Sequence, residues 1–92
     1  PGYLFHVVEA LARAGEAEGL APDLAMRLAR GTVAGAGAML DADPRDAAAL
    51  RESVTSQKGT TQAGLEVLMA ELPDLMRRTV AAAAARSREL GQ

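Results

Sequence analysis

The residues best suited to chemistry lie in the run Val54-Thr55-Ser56-Gln57-Lys58-Gly59-Thr60-Thr61. Three threonines, one serine and one glycine fall within these eight positions, and a helical pattern resumes at Gln62. A Ser/Thr/Gly segment that ends at a helix start aims unpaired backbone N–H groups outward, and the helix dipole adds partial positive charge there. The hydroxyls of Ser56, Thr60 and Thr61 add donors, and small residues such as Gly59 let a ligand approach the backbone. Such a site suits a carboxylate or a phosphate, with Lys58 as a further anion contact. The competing reading is plainer: Thr60 or Thr61 caps the helix and the rest is a solvated loop. Residue types alone leave both readings open.

Other candidates carry less. His6 lies between Phe5 and Val7 and is the sole histidine. No Ser, Cys or Asp stands at a spacing that implies a triad with it, so a packed or half-exposed helix residue is the simpler reading. Glu9 and Glu16 are seven residues apart on one helical face, as many surface pairs are. With no cysteine and one histidine, a Cys/His zinc site or an iron–sulfur centre is excluded, and no metal is expected. Gly35-Ala36-Gly37 sits inside a helical pattern, and neither a GxGxxG turn leading into a helix nor a Walker sequence is present. The chain by itself is therefore not expected to bind a dinucleotide, and no catalytic side chain is identified.

The elements that position these residues read as helices throughout. A first helix over about Pro1–Glu18 carries Leu4, Val7, Val8, Leu11, Ala12 and Gly15 on one face, and Gly19 stops it. A second starts near Pro22, with Asp23 in its first turn and bulk from Leu24, Leu28, Val33, Met39 and Leu40. Its interior holds Gly31, Gly35 and Gly37, each costing about 1 kcal/mol against Ala. Gly31 and Gly35 lie one turn apart. They imply a smooth groove for another helix, against the alternative of a weak or kinked helix end. Asp43 as N-cap and Pro44 at the first helical position predict a short helix to about Ser53, with Leu50 inward. A fourth begins at Gln62 with Leu65, Leu68, Met69 and Leu72. Pro73 ends it, and a fifth runs from Asp74 through Ala81–Ala85 to Gly91. No stretch alternates with period two. The fold class is all-α, a small bundle of about five helices.

Composition narrows the function further. The chain has 92 residues, one domain, and is 49% hydrophobic and 24% charged, as globular proteins are. Its net charge of −2, with basic residues scattered among acids and only Tyr3 and Phe5 as aromatics, argues against nucleic acid. The longest uncharged apolar stretches fall well short of the ~20 residues of a membrane span. No signal peptide is evident, so a cytoplasmic setting is expected; the opening Pro1-Gly2-Tyr3 in place of Met suits a processed product or a piece of a longer protein. Alanine supplies 21 residues but little buried area, so extra burial in a second copy or another domain is expected.

The run Leu50-Arg51-Glu52-Ser53-Val54-Thr55-Ser56-Gln57-Lys58-Gly59-Thr60-Thr61-Gln62-Ala63-Gly64-Leu65 resembles the signature of pyrroline-5-carboxylate reductases, roughly L-R-x-x-V-T-S-P-G-G-T-T-x-x-G-L. Pro1-Gly2-Tyr3-Leu4-Phe5, then Val8-Glu9-Ala10-Leu11, is similar to the family's P-A-Y-x-F-x-x-x-E-A-L helix. Gly19-Leu20 and Pro22, the small-residue helix through Gly35 and the closing Arg86-Ser87-Arg88-Glu89-Leu90 follow in the family's order. The resemblance spans essentially residues 1–92 and is to the carboxy-terminal helical domain. It departs in two ways: Gln57-Lys58 replaces the usual Pro-Gly, and the amino-terminal dinucleotide-binding domain lies outside these residues.

The resemblance implies a specific activity. The family reduces 1-pyrroline-5-carboxylate to L-proline, the last step of proline biosynthesis, by moving a hydride from NAD(P)H to the imine carbon. It implies a domain intertwined with its twin as a homodimer, which can assemble further. It also implies that Ser56, Gly59, Thr60 and Thr61 hold the substrate carboxylate, with backbone N–H groups and the Thr61 hydroxyl as donors. Positioning then dominates catalysis. The resemblance does not identify the donor of the imine proton, and water is a candidate. The 92-residue chain alone is expected to be inactive. A free-standing helical homodimeric module without catalysis, and a reductase of another cyclic imine acid, are the alternatives.

Overall fold

The computed structural model describes residues 1–91, which are helical with short connections and no strand. Four helices follow in order: α1 (Gly2–Ala17), α2 (Pro22–Ala42), α3 (Ala47–Ser53) and α4 (Thr60–Leu90). They divide into two compact units, Pro1–Arg45 and a second that starts at Asp46. No described helix is long and apolar enough to cross a membrane.

The first unit is a helical hairpin. Gly19 ends α1 with φ +104°, a left-handed conformation open to glycine. The N–H of Gly19 donates to the Glu16 carbonyl at 3.0 Å, and that of Leu20 donates to the Gly15 carbonyl at 3.1 Å. Together these make a Schellman motif, and the Leu20 side chain folds onto Gly15 as its apolar contact. Pro22 then opens α2. The seam between the helices is alanine: Ala12 on α1 is 3% exposed, and Ala25 and Ala29, one turn apart on α2, are 2% exposed. Small side chains let the two backbones come close.

The expected face of α1 is buried at Ala12 and half-buried at Val8 and Gly15, but most of the bulky side chains of the hairpin are not buried. Leu4, Val7, Leu11, Leu24, Leu28, Met39 and Leu40 are exposed, while Val8 and Val33 are half-buried. The alanine stripe lies one residue over from Leu24 and Leu28 and packs more tightly, so the large side chains flank the seam. Phe5, Val8, Met26 and Val33 line an open groove of about 440 Å³ beside it. Cβ atoms placed on Gly31, Gly35 or Gly37 would meet nothing within 4 Å. The small-residue stretch is helical and uncovered.

Asp43 does not cap the third helix. It is the C-cap of α2, held extended at φ −119°, ψ 118°, as a residue before proline prefers. Its carboxylate reaches over Pro44 to accept from the Arg45 backbone N–H at 3.0 Å and from Arg45 Nη2 at 2.8 Å. The Arg45 guanidinium holds the Asp43 carboxyl below the usual carboxylate range, and the Arg45 backbone bond adds to this. With that carboxylate engaged, α3 starts at Ala47 behind Asp46. Leu50 is the buried large side chain, facing inward as expected.

Pro73 does not divide the last helical segment. It lies inside α4, which runs through 31 residues, so four helices replace the expected five. Proline removes one backbone bond, to the Met69 carbonyl, and costs about 3 kcal/mol. Strong helix formers on both sides outweigh that loss. Asp74 in the next turn pairs with Arg77 at 2.8 Å and with Arg78 at 2.9 Å. Side-chain bonds from Arg77 and then Arg78 hold the Asp74 carboxyl below its usual range. No residue of α4 is buried.

Candidate functional site

The loop between α3 and α4 is built by hydroxyls and one turn. α3 is short, and its final carbonyls need donors. Ser53 Oγ donates to the Leu50 carbonyl at 2.7 Å, and Thr55 Oγ1 donates to the Arg51 carbonyl at 2.6 Å. Those two hydroxyls are therefore structural. A tight turn follows, in which the Gly59 N–H donates to the Ser56 carbonyl at 3.1 Å. The residue in its third position, Lys58, has φ +60°, and no other non-glycine residue described has positive φ. A single positive φ at that position is what a type II turn requires, with proline favoured before it and glycine at it. The Pro-Gly of the signature suits such a turn, which Gln57-Lys58 makes here.

Gly59 is needed for space. Its φ of −86° is ordinary, but a Cβ there would lie 3.2 Å from the Ser56 carbonyl oxygen and 3.4 Å from Ser56 Oγ. The turn thus closes onto the residue that begins α4. Gly59 is the N-cap and makes no side-chain cap, so neither Thr60 nor Thr61 caps the helix; both lie within its first turn. Among the described residues, the N–H groups of Thr60, Thr61 and Gln62 have no acceptor, and the hydroxyls of Ser56, Thr60 and Thr61 make no hydrogen bond. All three of these hydroxyl residues are exposed. The Gly59 N–H is occupied by the turn and the Lys58 N–H by Gln62 Oε1, so neither is free. The arrangement can take an oxyanion on adjacent N–H groups at a positive helix end.

Gln62 is the participant that residue types did not single out. It stands at the third helical position, and its side chain reaches back over the helix start to the Lys58 N–H. The readable signal is the spacing of a capping box, in which a Gln three residues after the N-cap turns back toward the preceding backbone. Beside it, Arg51, Thr55, Gln62, Leu65 and Met69 line a cleft of about 240 Å³. The other candidates are not drawn in with one another. His6 Nδ1 lies 3.2 Å from Glu9 Oε1 in an exposed pair along α1. No cluster of three metal-ligating side chains occurs among the described residues.

Comparison with known proteins spans this loop and both of its flanks. The family described as pyrroline-5-carboxylate reductase dimerisation matches residues 1–90. The chain is 43% identical to a pyrroline-5-carboxylate reductase of Arabidopsis thaliana over 93 aligned positions, covering 100% of this chain and 34% of that protein. It is 43% identical to the reductase of Pisum sativum, covering 98% of the chain and 33% of the relative. For the reductase of Pseudomonas aeruginosa the identity is 37%, with 100% and 34% covered. The chain thus spans about a third of the length of these curated relatives. An all-helical chain that matches the family over nearly its whole length, signature loop included, belongs to the pyrroline-5-carboxylate reductase dimerisation family.

Proposed function

We propose that this chain is the dimerising and substrate-carboxylate-holding part of a pyrroline-5-carboxylate reductase, an NAD(P)H-dependent enzyme that makes L-proline from 1-pyrroline-5-carboxylate. The observation that carries the reading is the row of adjacent N–H groups on Thr60, Thr61 and Gln62 without acceptors, beside the unengaged hydroxyls of Ser56, Thr60 and Thr61. The substrate's carboxylate binds there, and Gly59, with no Cβ to press on Ser56, lets the turn close beside it. Holding that carboxylate orients the ring and favours imine acids over neutral imines. The reduction adds a hydride to the imine carbon and a proton to the nitrogen. This chain's part is the orientation of that bond.

A dinucleotide does not fit the residues present. No strand leads into a glycine-rich turn among the described residues, and Gly35 and Gly37 are inside α2. We therefore assign dinucleotide binding to residues outside this chain. Homodimerisation is supported by the family's own description and by the exposed apolar side chains of both units. A second copy of the chain is the partner that covers them.

The test is Thr61→Ala in a reductase that carries both this domain and the dinucleotide domain. The expected loss in kcat/KM for the imine acid is about 1–3 kcal/mol with an unchanged melting temperature. Unchanged kinetics would refute the carboxylate role. NADPH added to the 92-residue chain is expected to leave its melting temperature where it was; a saturable rise would contradict the assignment.

A further inference from the structure

Gln62 is the polar side chain that ties the loop to the helix it precedes. Its Oε1 accepts the N–H of Lys58, the non-glycine residue held at positive φ. Left-handed backbone is unfavourable for an L residue with a Cβ, and lysine has no short polar side chain with which to hold itself there. The turn's own bond, Gly59 N–H to the Ser56 carbonyl, closes the ends of the turn and does not engage the Lys58 N–H. The Gln62 amide supplies the missing restraint. It also fills the Lys58 donor, so that this N–H does not compete for the anion. Gln62 is half-buried beside Thr55 and Leu65, which limits the positions its side chain can take.

We infer that Gln62 is a positioning residue: its side chain locks the left-handed turn at Lys58, so that Ser56, Thr60 and Thr61 are preformed for a carboxylate in a chain that has no glycine at position 58. The inference rests on the carboxylate reading above and extends it to a residue that does not touch the substrate through its side chain. A preformed loop binds more tightly because less ordering is left to the binding step. Loss of the lock therefore raises KM for the imine acid and leaves the chemical step alone.

The experiment is a double-mutant cycle in the longer reductase, with Gln62→Met, Lys58→Gly and the two combined, and with Thr61→Ala in parallel. Gln62→Met keeps the side-chain length and removes the acceptor. It is expected to raise KM for the imine acid about fivefold, with kcat and the dinucleotide KM within about twofold of the parent. In the Lys58→Gly background the same change is expected to raise KM less than about twofold, because glycine holds positive φ unaided. An equal effect in both backgrounds means that Gln62 does not act through Lys58 and overturns the inference. No effect of Gln62→Met while Thr61→Ala raises KM overturns it too and leaves the carboxylate reading standing. No effect of Thr61→Ala overturns that reading, and this inference with it. If Gln62→Met yields no folded protein, Gln62→Ala is measured against the same Lys58→Gly background.

Discussion

The hairpin of α1 and α2 and the segment from α3 through α4 bury apolar surface in opposite ways. The hairpin closes on itself: Ala12, Ala25 and Ala29 are its buried residues, and the Schellman turn at Gly19 fixes how the chain reverses. The second segment buries Leu50 and nothing on α4, a helix about 46 Å long at 1.5 Å per residue. Leu68, Leu72, Leu75 and Met76 stand exposed along it. A small-residue seam joins two helices at low bulk and leaves the hairpin's larger side chains beside it exposed. A long helix with large apolar residues and no seam depends on another surface.

The largest expected effect breaks that contrast at α4. Leu72→Asp with Met76→Asp places two charges one turn apart on the exposed apolar face. It should convert a dimer to a monomer in light scattering while the helical circular dichroism of the hairpin persists. A dimer of unchanged strength would mean that α4 is not the self-associating surface. Next, Pro73→Ala restores the bond to the Met69 carbonyl and should stabilise α4 by up to about 3 kcal/mol, seen as a higher melting temperature. A lower one would show that the proline shapes the face that α4 presents.

On the hairpin side, Ala25→Leu overfills the alanine seam and should cost about 1–3 kcal/mol in denaturant unfolding. A neutral result would mean that the helices separate without penalty. The smallest effect is electrostatic. Asp43 and Asp74 are held below their ordinary value of 3.8, so their pairs stabilise the fold above that pH and lose this as pH falls through the lowered values. Melting should therefore fall modestly from pH 5 to pH 3, and less so in Asp43→Asn. Asp74 is exposed and Asp43 is half-buried at the surface, so the change is minor beside the packing variants.

Much of this contrast was legible in the sequence, and the parts that were not have physical reasons. The helical period, the stop at Gly19, the start at Pro22 and the inward Leu50 follow from local spacing and turn chemistry. The split at Pro73 did not occur, because a single missing bond is a smaller term than the summed propensity of its neighbours. Asp43 leaves the expected N-cap position because its carboxylate engages Arg45, two residues on, at the end of α2. On α1 the expected face includes the buried Ala12; on α2 the pattern ranks residues by size, whereas the hairpin selects Ala25 and Ala29 for closeness. At the site, Ser56, Gly59, Thr60 and Thr61 are visible as residue types. That Gly59 serves by space and Gln62 by an acceptor depends on the turn at Lys58, a conformation the letters at 57 and 58 conceal.

The bare surface of α4 has a consequence for how much of this protein a cell or a tube holds. If its burial comes from a second copy, folding and pairing share one equilibrium, and stability becomes a matter of mass action. The melting temperature then climbs with the logarithm of protein concentration. Dilution alone populates chains whose longest helix is open to proteases, so abundance and lifetime rise and fall together.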